Sequence, residues 1–243
     1  MFSLKEVSYS FQKTVLDNIS LEIPAGLFTG VVGPNGSGKT TLLRLLSGFY
    51  HAPQGRVLLR GQNLAALRPR VRARQIAVVT QISILNPQFT VREMLELGRA
   101  PYHRWFWQRQ TASEKSLLEK ITADLKLTGL LPRRLKTLSG GELQRTVIAR
   151  ALAQDTPVLL LDEPVNHLDI HHQLEILSYL KNLTAQGRTI IAVLHDLRLA
   201  RRFCDSLLVM DNSKIIAGHP EAHLKSGLLA RVFELPADSE FLC

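Results

Sequence analysis

Residues 33–40 read Gly33-Pro34-Asn35-Gly36-Ser37-Gly38-Lys39-Thr40, which fits the G-x-x-x-x-G-K-[ST] pattern of a phosphate-binding loop. The flanks suit that reading. An apolar run, Phe28 to Val32, enters the loop as a strand, and Lys39 to Ser47 leaves it as a helix stopped by Gly48. Glycines let the backbone curl so that successive N–H groups face phosphate oxygens. The helix start adds its positive dipole end. Lys39 reaches the terminal phosphates as a point charge, and the Thr40 hydroxyl is a ligand for Mg²⁺.

A second acidic motif lies downstream. Val158-Leu159-Leu160-Leu161 is a buried-strand run ending in Asp162-Glu163-Pro164. An acid at the carboxyl end of a parallel strand sits where open α/β sheets bind ligands. Asp162 is placed to hold Mg²⁺, and Glu163 to polarise an attacking water as a general base. Together the two motifs describe hydrolysis of a magnesium nucleotide.

Further strands are expected at Val15 to Ile23, Arg56 to Arg60, Ile76 to Gln81, Ile190 to Leu194 and Ser206 to Met210. Helices are expected at about Ile170 to Gln186 and Leu197 to Phe203. Apolar strands alternating with helices imply an α/β fold with a mostly parallel sheet covered on both faces. From Asn86 to about Arg150 the pattern is helical, clearest at Val91 to Ala100 and Ser113 to Leu127. The expected organisation is therefore a single domain, 1–243. Its core comprises 1–85 and 151–243, and a helical subdomain is inserted at about 86–150.

The chain has 243 residues, 30 Lys+Arg against 21 Asp+Glu, and a net charge of +9. At 45% hydrophobic and 21% charged it has the balance of a folded protein rather than a disordered one. Two cysteines, Cys204 and Cys243, cannot build a disulfide framework. No stretch reaches the roughly 18 consecutive apolar residues of a membrane-spanning helix. The first residues lack a signal-peptide pattern, so a cytoplasmic site is expected. Excess positive charge suits polyanions without choosing among them. Arg68-Pro69-Arg70-Val71-Arg72-Ala73-Arg74 reads first as a solvated helix face. His167, His171 and His172 carry little metal-site signal. Tyr102-His103-Arg104-Trp105-Phe106-Trp107 reads as lobe packing or a docking surface, with Arg104 and Trp105 as candidate anchors.

Leu138-Ser139-Gly140-Gly141-Glu142-Leu143-Gln144-Arg145 opens a helix with capping-box spacing at Ser139 and Glu142, a second start with free N–H groups. With the other two motifs, the sequence resembles an ATP-binding cassette (ABC) ATPase over most of its length, Leu138 to Glu142 matching that family's signature. The resemblance implies a P-loop NTPase core with an antiparallel N-terminal β subdomain, and ATP with Mg²⁺ as ligands. It implies that Phe11 or Tyr9 stacks on adenine, Phe11 lying closer to the expected position. By the same resemblance, residues 33–40 and Thr41 are expected to bind the phosphates, Gln81 to sense the metal beside Thr40 and Asp162 and link core to lobe, and His195 to contact the γ-phosphate and join Glu163 and Gln81 in catalysis. It further implies that two cassettes pack head to tail, so that Ser139, Gly140, Gly141, Glu142 and Asp169, the last in Asn166-His167-Leu168-Asp169, contact the neighbour's ATP or subunit.

Within the family, Thr90-Val91-Arg92-Glu93, Gly98-Arg99-Ala100-Pro101-Tyr102, Leu168-Asp169-Ile170-His171-His172-Gln173 and Val193-Leu194-His195-Asp196-Leu197 resemble ATPases of importers for ferric chelates, haem and cobalamin. Val165 replaces a more usual threonine, and no regulatory domain is expected after Phe241-Leu242-Cys243. The implied partners are a second copy of the chain, a membrane permease dimer gripped by the region from Gln81 to Trp107, and, indirectly, a periplasmic or lipid-anchored substrate-binding protein. No nucleic acid is expected. The implied location is the cytoplasmic face of the inner membrane. The rival readings are an exporter ATPase, or a soluble cassette acting on ribosomes or DNA.

Overall fold

The computed structural model describes residues 1–80, 86–103, 110–166, 168–218 and 232–233. In chain order the first elements are β1 (Phe2–Ser10), β2 (Thr14–Ile23), β3 (Phe28–Val32), α1 (Lys39–Leu46), β4 (Gln54–Leu59), β5 (Gln62–Asn63), α2 (Pro69–Ala73) and β6 (Ile76–Val79). Then follow α3 (Val91–Leu97), α4 (Ala112–Asp124), α5 (Gly140–Ala153), β7 (Val158–Asp162), α6 (Ile170–Ala185), β8 (Thr189–Val193), α7 (Leu197–Phe203), β9 (Ser206–Asp211) and β10 (Lys214–Gly218).

Two sheets form. The larger has the order β10-β9-β3-β8-β7-β6, parallel throughout except for the antiparallel edge strand β10. The smaller, β2-β1-β4-β5, is antiparallel. The mixed α/β architecture expected from the sequence is present. Strand β7 shows why it is layered: Leu159 and Leu161 enter one apolar cluster, while Val158 and Leu160 enter the other. A strand with both faces buried needs the continuous apolar run this one has.

The first cluster joins one sheet face to α3, α5, α6 and α7 without a break, so the helical segment shares the sheet's core. The second holds the small sheet and α1 against the opposite face. Helices α3, α4 and α5 all start on capping boxes, at Thr90 with Glu93, Thr111 with Glu114, and Ser139 with Glu142. Each satisfies backbone donors that the first turn leaves unpaired.

Strand β1 was missing from the sequence reading. Phe2, Leu4 and Val7 are its buried side chains, and Glu6 sits in a bulge with φ 52. The bulge shifts the apolar spacing from two to three and hides the alternation.

The arginine run is also more than a solvated face. Arg70 Nε and Arg74 Nε each donate to the Pro101 carbonyl at 2.9 Å, and Arg70 also donates to the His103 carbonyl. The guanidiniums of Arg74 and Arg99 both lie over the Tyr102 ring, 5.1 and 4.1 Å from its centroid. Helix α2 is thereby bound to the turn after α3. Gln81, His167 and residues 104–109, including Arg104 and Trp105, lie outside the described residues.

Candidate functional site

Strand order brings the motifs together. β8 lies between β3 and β7, so the loop after β3, the acids ending β7 and His195 after β8 open at one edge of the sheet. That edge is the carboxyl end, where parallel sheets place ligands.

The phosphate loop needs its glycines at defined points. At Gly38, the N-cap of α1, φ is +100, and a Cβ there would lie 2.8 Å from the Val15 carbonyl oxygen. A Cβ on Gly33 would lie 2.2 Å from the Met210 carbonyl oxygen. Lys39 folds back over the loop and donates from Nζ to the Gly33 and Pro34 carbonyls, both at 2.8 Å. Burial pushes its ammonium down, opposed by the negative charges of Glu163 and Asp162. The first N–H groups of α1, including that of Thr41, have no intrahelical acceptor, while the Thr41 side chain is buried. Ser37 Oγ is buried with no hydrogen-bond partner. A buried hydroxyl without a partner, close to a helix start whose first N–H groups lack intrahelical acceptors, fits an incomplete anion site.

Thr40 Oγ1 donates to Asp162 Oδ1 at 3.3 Å. Burial pushes the Asp162 carboxyl up, the Thr40 hydrogen bond opposes this, and the Glu163 charge adds to the rise. Two oxygen donors beside a phosphate cradle fit a hard divalent cation, which would also relieve the crowding of the two acids.

Glu163 is a non-glycine residue in left-handed backbone, with φ 56. Its Oε1 is 2.5 Å from His195 Nε2, and its Oε2 accepts from Asn166 Nδ2. The glutamate side chain is 11% exposed. A carboxylate held this way at the mouth of a phosphate site can act on water.

Ser139 caps α5: its Oγ accepts from Glu142 N at 3.3 Å, while Glu142 Oε2 accepts from Ser139 N at 2.8 Å. These bonds, led by the backbone one, hold the Glu142 carboxyl below its ordinary range. Gly140 would meet nothing within 4 Å if it carried a Cβ, and Gly141 only Leu168 Cδ2 at 3.7 Å. Packing within the chain therefore does not require glycine at either place. Asp169 caps α6 by accepting from His172 N at 3.0 Å, and its other oxygen is 2.6 Å from His172 Nδ1.

Phe11 is 59% exposed and meets Tyr9 and Tyr50 edge-on, with centroids at 5.1 and 5.7 Å. Tyr9 is instead stacked on Tyr50 at 5.1 Å. Of the two aromatic candidates, Phe11 has the open ring. Among the described residues no group of three or more His, Cys, Asp or Glu side chains is placed to hold a metal ion. Sequence reading missed Asn166, Gln144 and Gln173 as loop braces. The spacing of Asn166 three residues after Glu163 across a proline turn is the one signal that could have exposed it.

A family profile described as ABC transporter matches residues 16–166. A cobalamin import ATP-binding protein of Halobacterium salinarum is 38% identical over 222 residues, 90% of this chain; the chain spans about half of that relative, 55% of its length. A petrobactin import ATP-binding protein of Bacillus anthracis is 37% identical over 241 residues, covering 98% of this chain and 88% of the relative. Among solved structures, a dimeric post-hydrolysis ATP-binding cassette bound to ADP and Pi is similar with a TM-score of 0.79 and 28% identity. The match covers 90% of this chain and 98% of that one. Signature helix, phosphate loop and acid pair on this sheet, with these likenesses, place the chain in the ABC transporter family as an ATP-binding cassette.

Proposed function

We propose that this cassette is the ATP-hydrolysing subunit of an importer that drives uptake of an iron chelate, haem or cobalamin through a separate membrane permease. The observation that carries the hydrolysis is Glu163, a fixed carboxylate beside a phosphate cradle. The importer reading is supported by relatives whose names specify cobalamin and petrobactin import.

Thr40 and Asp162 would hold Mg²⁺, with Gln81 joining them as the family resemblance implies. The cation, when bound, supplies charge neutralisation of the phosphate oxygens. Lys39 exchanges two backbone carbonyls for the β- and γ-phosphate oxygens, and Ser37 Oγ gains the partner it lacks. Phe11 offers its ring to adenine. His195 turns from Glu163 to the γ-phosphate, which frees Oε1 to take a proton from the attacking water.

The α5 start serves a second copy of the chain. Gly140 and Gly141 keep the surface beside Ser139 low, so a neighbour's γ-phosphate can approach the helix N-terminus. Asp169 stands on the same head-to-tail seam. Residues 86–150 act as the lobe whose position follows nucleotide state, through Gln81. The region from Gln81 to Trp107 is the proposed seat of a short cytoplasmic helix of the permease. No described helix is long and apolar enough to cross a membrane. The location proposed, from the family resemblance, is peripheral, on the cytoplasmic face beside the permease, with a binding protein delivering substrate on the far side.

The test is a deletion strain assayed for uptake of labelled ferric chelate, haem and cobalamin, with copurification of membrane partners. Loss of one uptake activity and recovery of a permease is expected. Unchanged uptake of all three would overturn the importer reading. Loss of efflux would favour an exporter.

A further inference from the structure

The loop between β7 and α6 is held from two sides, by α5 and by α6. Gln144 Nε2, from α5, donates to the Pro164 carbonyl at 2.8 Å. Gln173 Nε2, from α6, donates to the carbonyls of Val165 (3.2 Å) and Leu168 (3.0 Å). Between these anchors Asn166 turns inward. Its backbone N–H donates to the Glu163 carbonyl at 3.4 Å, and its side-chain amide donates to Glu163 Oε2. Glu163 itself stands in left-handed backbone, a conformation that persists only where the surroundings determine it.

We propose that Asn166 is a positioning residue for the hydrolytic reaction, fixing the plane of the Glu163 carboxylate so that Oε1 faces the attacking water. The proposal rests on the reading of Glu163 as the base. A carboxylate's terminal torsion is soft and roughly two-fold, whereas a general base must present one lone pair within hydrogen-bond reach of the water. His195 cannot do this throughout the cycle, because it occupies Oε1, the oxygen that has to be released. Asn166 occupies the other. As a neutral amide it neither takes the proton nor adds a charge that would oppose the anionic phosphate.

The test uses the purified full chain with MgATP. Asn166→Ala is expected to lower kcat roughly 10- to 10²-fold, the kinetic equivalent of one lost hydrogen bond to a charged group, with KM within about twofold. Asn166→Asp keeps the shape but removes the donor and should lose at least as much. It also supplies the readout if the alanine variant fails to fold. The discriminating measurement is a double-mutant cycle. In a Glu163→Gln background Asn166→Ala should have no further effect, because the group it positions is gone. Overturning results would be a kcat within about threefold of wild type, a loss confined to KM, or an equal fold-loss in both backgrounds. Normal turnover by Glu163→Gln alone would remove the base reading, and this proposal with it, whatever Asn166→Ala does.

Discussion

Replacing Glu114 by alanine removes the centre of a buried ionic network. Glu114 Oε1 accepts from Arg99 Nε at 3.2 Å and lies 2.8 Å from His103 Nε2, and both Arg99 and Glu114 side chains are 9% exposed. Its Oε2 accepts from Thr111 N at 2.9 Å, closing the capping box of α4. Breaking a buried pair from one side costs about 3–5 kcal/mol, because the remaining charge is left uncompensated. Arg99 keeps the Ala153 carbonyl at 2.8 Å and the Tyr102 ring at 4.1 Å, so the lower end, about 3 kcal/mol, is expected. For a chain of this length that is a fall in Tm of roughly 6–12 °C.

Acid should narrow the difference. Burial would raise the Glu114 carboxyl, but the bonds from Thr111, His103 and Arg99 outweigh it and bring it down to about 2 from 4.5. A depressed carboxylate contributes fully above the unfolded value and loses that contribution as pH falls toward the folded one. Thermal unfolding followed by circular dichroism from pH 7 to about pH 3 should show the gap between wild type and Glu114→Ala narrowing. A Tm difference below about 3 °C at neutral pH, or a gap constant across the range, refutes the reasoning.

Glu163→Gln should bind MgATP and hydrolyse it at least ~10²-fold more slowly, accumulating a closed ATP-bound dimer; a phosphate-release assay with sedimentation velocity checks both halves. Lys39→Ala should abolish tight nucleotide binding, whereas Ser139→Arg should bind normally yet not hydrolyse. Normal hydrolysis by purified Ser139→Arg would exclude the head-to-tail dimer. Phe11→Ala should raise KM for ATP by roughly 5- to 10²-fold, the worth of one base stacked on an aromatic ring, and leave kcat intact; an unchanged KM would move the adenine platform elsewhere.

The features legible in the sequence were those whose chemistry is local. Gly33 to Thr40 must be contiguous to wrap a phosphate, and Asp162-Glu163 must follow directly on its buried strand. Ser139 and Glu142 announce a helix start by spacing alone. What stayed hidden depended on distant partners or broken periods. Nothing in Arg70 and Arg74 reveals that their acceptors are carbonyls at Pro101 and His103. The bulge at Glu6 disguised β1, and a second positive-φ residue, Asn18, lies in the strand beside it. Asn166 was in plain view, but only the turn geometry shows its amide on Glu163.

The cap at Ser139 has a consequence for the polarity of its hydroxyl. One of the oxygen's two lone pairs accepts from Glu142 N, and the O–H, polarised by the bond its oxygen accepts, remains able to rotate and donate outward. Towards an anion arriving from outside, Ser139 can thus donate. Aspartate would cap the helix equally well but would meet an anion with like charge, and alanine would offer neither half. In the proposed head-to-tail dimer, one small side chain would cap the helix with its oxygen and meet a phosphate with its hydrogen. A variant that keeps the cap but not the proton, Ser139→Asp, would therefore give a well-folded cassette that rejects its neighbour's nucleotide.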